Sequence, residues 1–203
     1  MNTDVEEMLS DIRTYNEFIQ PYETALSVIL VQLEGIQKDL ERSLGHKAIH
    51  SFRHRIKKPA SILEKMERKN LEPSFEMAKE CLTDIAGIRI MCYYIKDVYK
   101  IAEILKKQLD VIMVKQSDYI ENPKPNGYRS LHLILGVPVY GVNTKEFYPV
   151  ELQIRTLAMD FWASMEHQLC YKSDRDNKEQ MAVQLKEYSQ RLNDMERELE
   201  LFY

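Results

Sequence analysis

DYIENPKPNGYRSLHLILGVPVYGVNTKEFYPVELQIRT, residues 118–156, is the stretch whose reading decides the fold. Tyr128 to Val139 and Phe147 to Arg155 read as two strands, rich in β-branched and aromatic residues. The first is entered through a Lys-Pro-Asn-Gly turn at 124–127, and the second carries a single acid, Glu151, among apolar neighbours. A carboxylate inside an apolar strand is costly to bury unless a partner or a cation holds it, so Glu151 marks the first place to look for function.

Outward from this stretch the period changes twice. LTDIAGIRIMCYYI, residues 82–95, is too continuous in apolar residues for a one-sided helix and reads as a buried strand starting near Ile85. A helix over Asp97 to Gln108 and a strand over Val111 to Lys115 follow. Upstream, Leu26, Ile29, Leu33, Ile36, Leu40 and Leu44 recur at steps of three and four, which predicts a helix from Tyr22 to Leu44 with Pro21 at its start and Gly45 at its end. A second helix is expected near Pro59, with Ile62, Leu63 and Met66 on its inner side, and a short third one near Pro73. The sum is an α/β or α+β chain, a sheet flanked by helices with helical extensions at both ends. It divides into a helical region over 1–52, a sheet domain over 53–172 and a C-terminal helix over 173–203.

In that last helix Met181, Leu185, Tyr188, Leu192, Met195, Leu199 and Phe202 follow steps of four and three. The stripe suits packing on its own domain, on the Leu26 to Leu44 stripe, or on another subunit.

Composition bounds the remaining classes. With 203 residues, 44% of them hydrophobic, the chain can build one substantial core. No run approaches the roughly 18 apolar residues of a membrane span, and the start, MNTDVEEMLSD, is acidic where a signal peptide is basic and then apolar, so the expected location is the cytoplasm. Cys81, Cys92 and Cys170 show no metal spacing and are read as reduced. The net charge of −4 conceals a basic block, since Lys38 to Lys69 holds ten Lys or Arg against four acids. Such a block is either a solvated face or an anion site.

Asp84 stands just before the 85–95 strand and Arg89 within it, while Glu151, Gln153 and Arg155 alternate on one face of the last strand. If these two strands are neighbours, Asp84 and Glu151 form a carboxylate pair. One outcome is structural: salt bridges of Asp84 with Arg89 or Arg155, and of Glu151 with Arg129. The other is a Mg²⁺ site, whose oxygen ligands are completed by substrate phosphates. Arg53, Arg55 and Lys57, ahead of a helix start, would then neutralise a polyphosphate, with Ser61 offering its hydroxyl and an arginine stacking on a purine. Gly127 permits a positive φ in the turn, and Tyr128 and His132 alternate on one strand face, offering a ring to stack on and an imidazole to bond, or else a packed aromatic and a satisfied histidine.

The combination of RxKxxxS at Arg55 to Ser61, TDIAGIRI at Thr83 to Ile90, DYIENPKPNGYRSLH at Asp118 to His132, VELQIRT at Val150 to Thr156 and FWASMEHQLCYK at Phe161 to Lys172 resembles the small alarmone synthetases. These are short, single-domain relatives of the Rel/Spo stringent-response enzymes, and within them the likeness leans to the RelP-like rather than the RelQ-like branch. The resemblance runs from Arg53 to Lys172 and implies a nucleotidyltransferase-like mixed sheet. It implies a GTP pyrophosphokinase that moves the β,γ-pyrophosphate of ATP onto the 3′-hydroxyl of GDP or GTP, giving ppGpp or pppGpp and AMP with Mg²⁺.

By position in the motifs, Asp84 and Glu151 are the catalytic and metal-binding pair, Glu151 also facing the attacking hydroxyl. The resemblance implies that Arg53, Arg55, Lys57, Ser61 and Arg89 bind ATP, that Tyr128 stacks on guanine with Lys124, Asn126, His132 and Gln153 around the acceptor nucleotide, and that Arg129, Arg155, Glu166 and His167 support the site. The resemblance further implies a homotetramer open to regulation by RNA or a nucleotide. Lys115, Gln116, Ser117 and Asp118 stand where the long relatives carry RxKD, so serine replaces the second base. No His-Asp dipeptide of the family's hydrolase domain occurs, and synthesis without degradation is expected. Two rival readings use the same scaffold: a toxin-type tRNA 3′-end pyrophosphokinase, and a catalytically silent RNA-binding regulatory module.

Overall fold

The computed structural model describes residues 12–108, 110–172 and 178–202. In chain order its elements are α1 (Ile12–Leu44), β1 (Ile49–Ile56), α2 (Pro59–Arg68), α3 (Phe75–Cys81), β2 (Ala86–Cys92), α4 (Ile95–Lys106), β3 (Ile112–Asp118), β4 (Leu131–Tyr140), β5 (Lys145–Thr156), α5 (Leu157–Lys172) and α6 (Lys178–Glu200). The strands form one mixed sheet in the order β1-β2-β5-β4-β3. β2 and β5 run parallel at its centre, and every other pairing is antiparallel. The expected four strands and the mixed α/β class are all present.

Alternation gives this sheet two unlike faces. Ile88 and Ile90 of β2 lie opposite Leu152 and Ile154 of β5, which in turn lie opposite Leu133 and Leu131 of β4. Side chains in register share a face, so these residues make one apolar surface, and all six are buried. The long α1 and the shorter α4 cover it. Ile29, Leu33, Ile36 and Leu40, the stripe legible in the sequence, are among the buried residues of α1. That stripe is therefore occupied by the sheet of its own domain and is not available to α6. The opposite face carries Arg53, Arg55, Arg89, Glu151, Gln153, Arg155 and His132, and α5 lies beside it.

Three sequence expectations change. The helix expected from Tyr22 to Leu44 spans Ile12–Leu44, so Pro21 sits inside it rather than at its start. A mid-helix proline forfeits a backbone hydrogen bond. Here the turns around it are held by side chains, Phe18 stacking on Phe75 at 4.5 Å between ring centroids and Tyr22 meeting Tyr148 edge-on at 5.0 Å. The second change is β1, read in the sequence as the end of a helical region and an approach to a helix. It is the outer strand of the sheet, and the boundary expected between residues 52 and 53 falls inside it. An edge strand buries few residues, and only Ile49 is fully buried here, so IHSFRHRI carries little apolar alternation.

The third change concerns α6, whose apolar stripe splits. Leu185 is buried together with Ser189 and Asn193, whereas Tyr188, Met195, Leu199 and Phe202 face outward. The side chain of Cys170 lies outside the described residues; Cys81 and Cys92 are free thiols.

Among the described residues, the buried core joins α1 and α4 to the sheet. Leu33→Ala, which empties a fully buried site on α1, is expected to lower the unfolding free energy by about 2–5 kcal/mol, read from urea denaturation followed by circular dichroism.

Candidate active site

The parallel pairing of β2 with β5 places Gly87 opposite Glu151 and Arg89 opposite Gln153, with Asp84 three residues ahead of Gly87. On the far side of β2, Arg55 pairs with Gly87 and Arg53 with Arg89. A cavity of about 210 Å³ opens over this patch, lined among others by Arg53, Arg55, Asp84, Gly87, Arg89 and Glu151. Gly87 forms part of its floor. A Cβ there would meet only the Glu151 carbonyl, at 3.8 Å, so a larger side chain would be accommodated by the backbone and would fill the cavity instead. A second, larger cavity of about 510 Å³ adjoins the first and shares Arg55, Arg89 and Gln153 with it. Tyr128, Arg155, Ser164, Glu166 and His167 are among its other walls.

The charges are paired differently from the salt bridges the sequence suggested. Asp84 Oδ2 accepts from Lys57 Nζ at 2.8 Å and is paired with Lys65 Nζ at 2.6 Å, rather than with Arg89 or Arg155. Burial pushes the Asp84 carboxyl up, but the two lysines outweigh it and hold it below its ordinary range. Lys65 was missed in the sequence, although it lies one helical turn beyond Ser61 and thus extends the RxKxxxS spacing. Ser61 itself borders neither cavity.

Glu151 does not reach Arg129 either. Its Oε1 lies 3.6 Å from His132 Nδ1, and its Oε2 accepts from Gln153 Nε2 at 3.2 Å. Burial raises this carboxyl and the nearby Asp84 charge adds to the rise, yet His132 and Gln153 leave it below its ordinary value. It is ionised at neutral pH.

Arg155, almost fully buried, ties the polar face together. Its Nη2 donates to Gln153 Oε1 at 2.8 Å and to the Tyr128 hydroxyl at 2.9 Å, and its Nη1 reaches Asp160 Oδ1 at 3.4 Å. Burial lowers its pKa, as expected for a cation removed from water, and the partners around it offset that cost in part. Asp160 also accepts from Arg89, at 3.3 Å. The Tyr128 hydroxyl, which accepts from Arg155, also lies within hydrogen-bond distance of His132 Nε2, at 2.8 Å. His132 thus stands between the Tyr128 hydroxyl on its Nε2 side and the Glu151 carboxylate on its Nδ1 side. Asp160, first turn of α5, was not foreseen; its signal was the acid following the VELQIRT motif.

The turn behaves as its sequence suggested. Gly127 adopts φ +93°, and Asn126 Oδ1 accepts from the Tyr128 amide at 3.1 Å. Asn126 also donates to Glu166 of α5 at 3.4 Å. Lys124 Nζ lies 4.8 Å from the Tyr119 ring centroid and 5.0 Å from that of Tyr128. Cation–π contacts at such exposure are worth about 0.5–1 kcal/mol, little enough for a stacking base to displace. Arg129 turns away from the site, donating to Ile120 O and to Gln190 of α6, both at 3.0 Å, so it is not a partner of the carboxylates. Asp118, at the place of the relatives' RxKD, caps the turn by accepting from the amides of Ile120 and Glu121 and the Tyr99 hydroxyl. The serine that replaces a base, Ser117, pairs with His132 across the sheet.

The donor set suits Mg²⁺. Asp84 Oδ1 is buried without a hydrogen-bond partner, and Glu151 supplies a second carboxylate. Among the described residues no group of three or more His, Cys, Asp or Glu side chains could hold an ion unaided. Mg²⁺ is commonly held by one or two carboxylates, with substrate phosphates and water completing the shell.

A sheet with one polar face, paired cavities over it and a guanidinium-rich floor fits a nucleotide-handling enzyme. Residues 54–176 match the family described as "Region found in RelA / SpoT proteins", and the chain belongs to this family. It is 40% identical over 185 residues to GTP pyrophosphokinase YwaC of Bacillus subtilis, covering 91% of this chain and 88% of that one. The fold superposes on small alarmone synthetase 1 from Bacillus subtilis bound to its product pppGpp with a TM-score of 0.83, at 36% identity, over 94% of this chain and 96% of the other. It also superposes on small alarmone synthetase 1 from Bacillus subtilis bound to AMPCPP, with a TM-score of 0.74 at 33% identity, over 92% and 94% of the two chains.

The lysine pair on Asp84 has a measurable signature. A carboxyl held below its ordinary value of 3.8 contributes its full stability above that value and loses it as pH falls through the lower folded value. The difference in unfolding free energy between the parent and Asp84→Asn is therefore expected to be constant from neutral pH to about pH 4 and to shrink in stronger acid. Urea titrations across the acid range check this, and a difference independent of pH would refute the assignment.

Proposed function

We propose that this chain is a GTP pyrophosphokinase, a (p)ppGpp synthetase that transfers the β,γ-pyrophosphate of ATP to the 3′-hydroxyl of GDP or GTP. The observation that carries the reading is the junction of the two cavities at Arg55, Arg89 and Gln153, beside the ionised Glu151. ATP occupies the smaller cavity, its phosphates against Arg53, Arg55, Lys57 and Arg89. The guanosine nucleotide occupies the larger, its base on Tyr128 with Lys124, Asn126, His132 and Gln153 around it. The relatives with bound pppGpp and AMPCPP support nucleotides at a site of this kind.

The chemistry follows from the arrangement. The acceptor 3′-hydroxyl gives its proton to the Glu151 carboxylate as its oxygen bonds to the β-phosphorus of ATP. The bond from that phosphorus to the oxygen shared with the α-phosphate breaks, and AMP leaves. His132 and Gln153 steady Glu151 in the ionised form that can take the proton. Arg55 and Arg89, common to both cavities, stand where the transferred group passes and its charge is spread. Asp84 and Glu151 would hold Mg²⁺, which when bound neutralises phosphate charge and orients the triphosphate. Lys57 and Lys65 neutralise Asp84 in this structure and are placed to pass to the phosphates. Positioning and charge supply most of the rate in such transfers, and no covalent nucleophile is required.

The proposal extends to a cytoplasmic homotetramer open to regulation by RNA or nucleotide. It is supported by the outward apolar residues Phe161 and Met165 of α5 and Tyr188, Met195 and Leu199 of α6, and by the lack among the described residues of a helix long and apolar enough to cross a membrane.

Labelled ATP incubated with GDP, with GTP and with tRNA, followed by thin-layer separation, is expected to label the guanosine nucleotides. Label on tRNA alone would overturn the reading. Glu151→Gln is expected to lower kcat by about 10²- to 10⁴-fold with the fold retained. Gly87→Val, which fills the smaller cavity, should raise KM for ATP more than about tenfold while leaving the affinity for GDP within about twofold in equilibrium titration.

A further inference from the structure

The turn that presents Tyr128 is fastened from outside both cavities. Ser189 of α6 is buried, and its hydroxyl donates to the Gly127 carbonyl at 2.5 Å. The helix lies directly on the turn: a Cβ at Gly127 would stand 3.0 Å from Ser189 Cβ and 3.1 Å from Lys186 Cα. On the other side of Tyr128, Arg129 spans from the Ile120 carbonyl to Gln190 Oε1. Both chain neighbours of Tyr128 are thus bonded to successive residues of one helix. That helix is itself anchored, because the Trp162 indole N–H donates to the Leu185 carbonyl at 2.6 Å. Among the described residues, none of α6 borders either cavity described above.

We propose that Ser189 and Gln190 are positioning residues for the acceptor nucleotide, holding the Gly127–Arg129 turn so that the Tyr128 ring is already presented when the guanosine nucleotide arrives. The inference rests on the assignment of the larger cavity to that nucleotide. A turn released from α6 samples other conformations, and the nucleotide must then order it at the expense of affinity. The donor cavity lies apart from this contact, since none of the residues lining it belongs to α6 or to the Gly127–Arg129 turn. Gln190 is exposed, so its replacement does not disturb the core.

The test compares the parent full-length chain with Ser189→Ala, Gln190→Ala, the double variant and Gln190→Glu. Calorimetric titration with GDP and with a non-hydrolysable ATP analogue is combined with steady-state kinetics. Loss of either bond is expected to weaken GDP binding roughly three- to tenfold and the double variant more, with the affinity for the ATP analogue and kcat at saturating GDP within about twofold. Gln190→Glu keeps an acceptor for Arg129 and should bind GDP as the parent does. Unchanged GDP affinity in the double variant, equal weakening of both nucleotides, or a Gln190→Glu as weak as Gln190→Ala would each overturn the proposal. Should Ser189→Ala fail to fold, the two Gln190 variants decide alone. A parent that binds GDP but forms no product would refute the pyrophosphokinase reading while leaving this comparison intact.

Discussion

The parallel pairing of β2 with β5 is the constraint on which the site depends. It sets Gly87 against Glu151 and Arg89 against Gln153, and it carries Asp84 to the same edge. Because the pairing is made by backbone hydrogen bonds, the side chains above it are free to be charged. The cost of gathering them is met on the other face, where Ile88, Ile90, Leu152 and Ile154 are sealed beneath α1 and α4. One strand alternation thus serves both ends, stability below and chemistry above.

Above the sheet, charges are kept from cancelling in unproductive pairs by a graded set of neutral and ionic partners. Asp84 rests on two lysines. Glu151 is held by an imidazole and an amide, and no strong cation pairs with it directly. Arg155 engages its guanidinium with Asp160, Gln153 and Tyr128, which fixes the phenol beside His132 Nε2. Glu151 is therefore ionised without a strong cation bound to it, as the proton acceptor proposed above requires.

What the sequence disclosed and what it hid have separable physical causes. The buried strands and the α1 stripe were legible because burial on a fixed face imposes a period. The carboxylate pair was legible because acids are rare in apolar strands. β1 was hidden because an edge strand buries little, and Pro21 misled because the aromatic contacts that hold its turn come from residues far along the chain. The partners of Asp84 and Glu151 were misassigned for a related reason: strand spacing tells which face a side chain takes but not how far a lysine reaches. α6 was read by its heptads, yet its buried face includes Ser189 and Asn193, polar residues that pattern reading assigns to water.

The central pairing also has a consequence for the order in which the molecule comes into being. β1 with β2, β3 with β4 and β4 with β5 join strands near in sequence, whereas β2 must wait for β5 across α4 and two intervening strands. Contacts between distant segments form late, since the chain between them must first be closed into a loop. During synthesis the amino-terminal half can thus gather α1, β1 and β2 while its arginines stand without Glu151. The carboxylate pair and the two cavities are therefore assembled only when the final strand slots into the middle of the sheet.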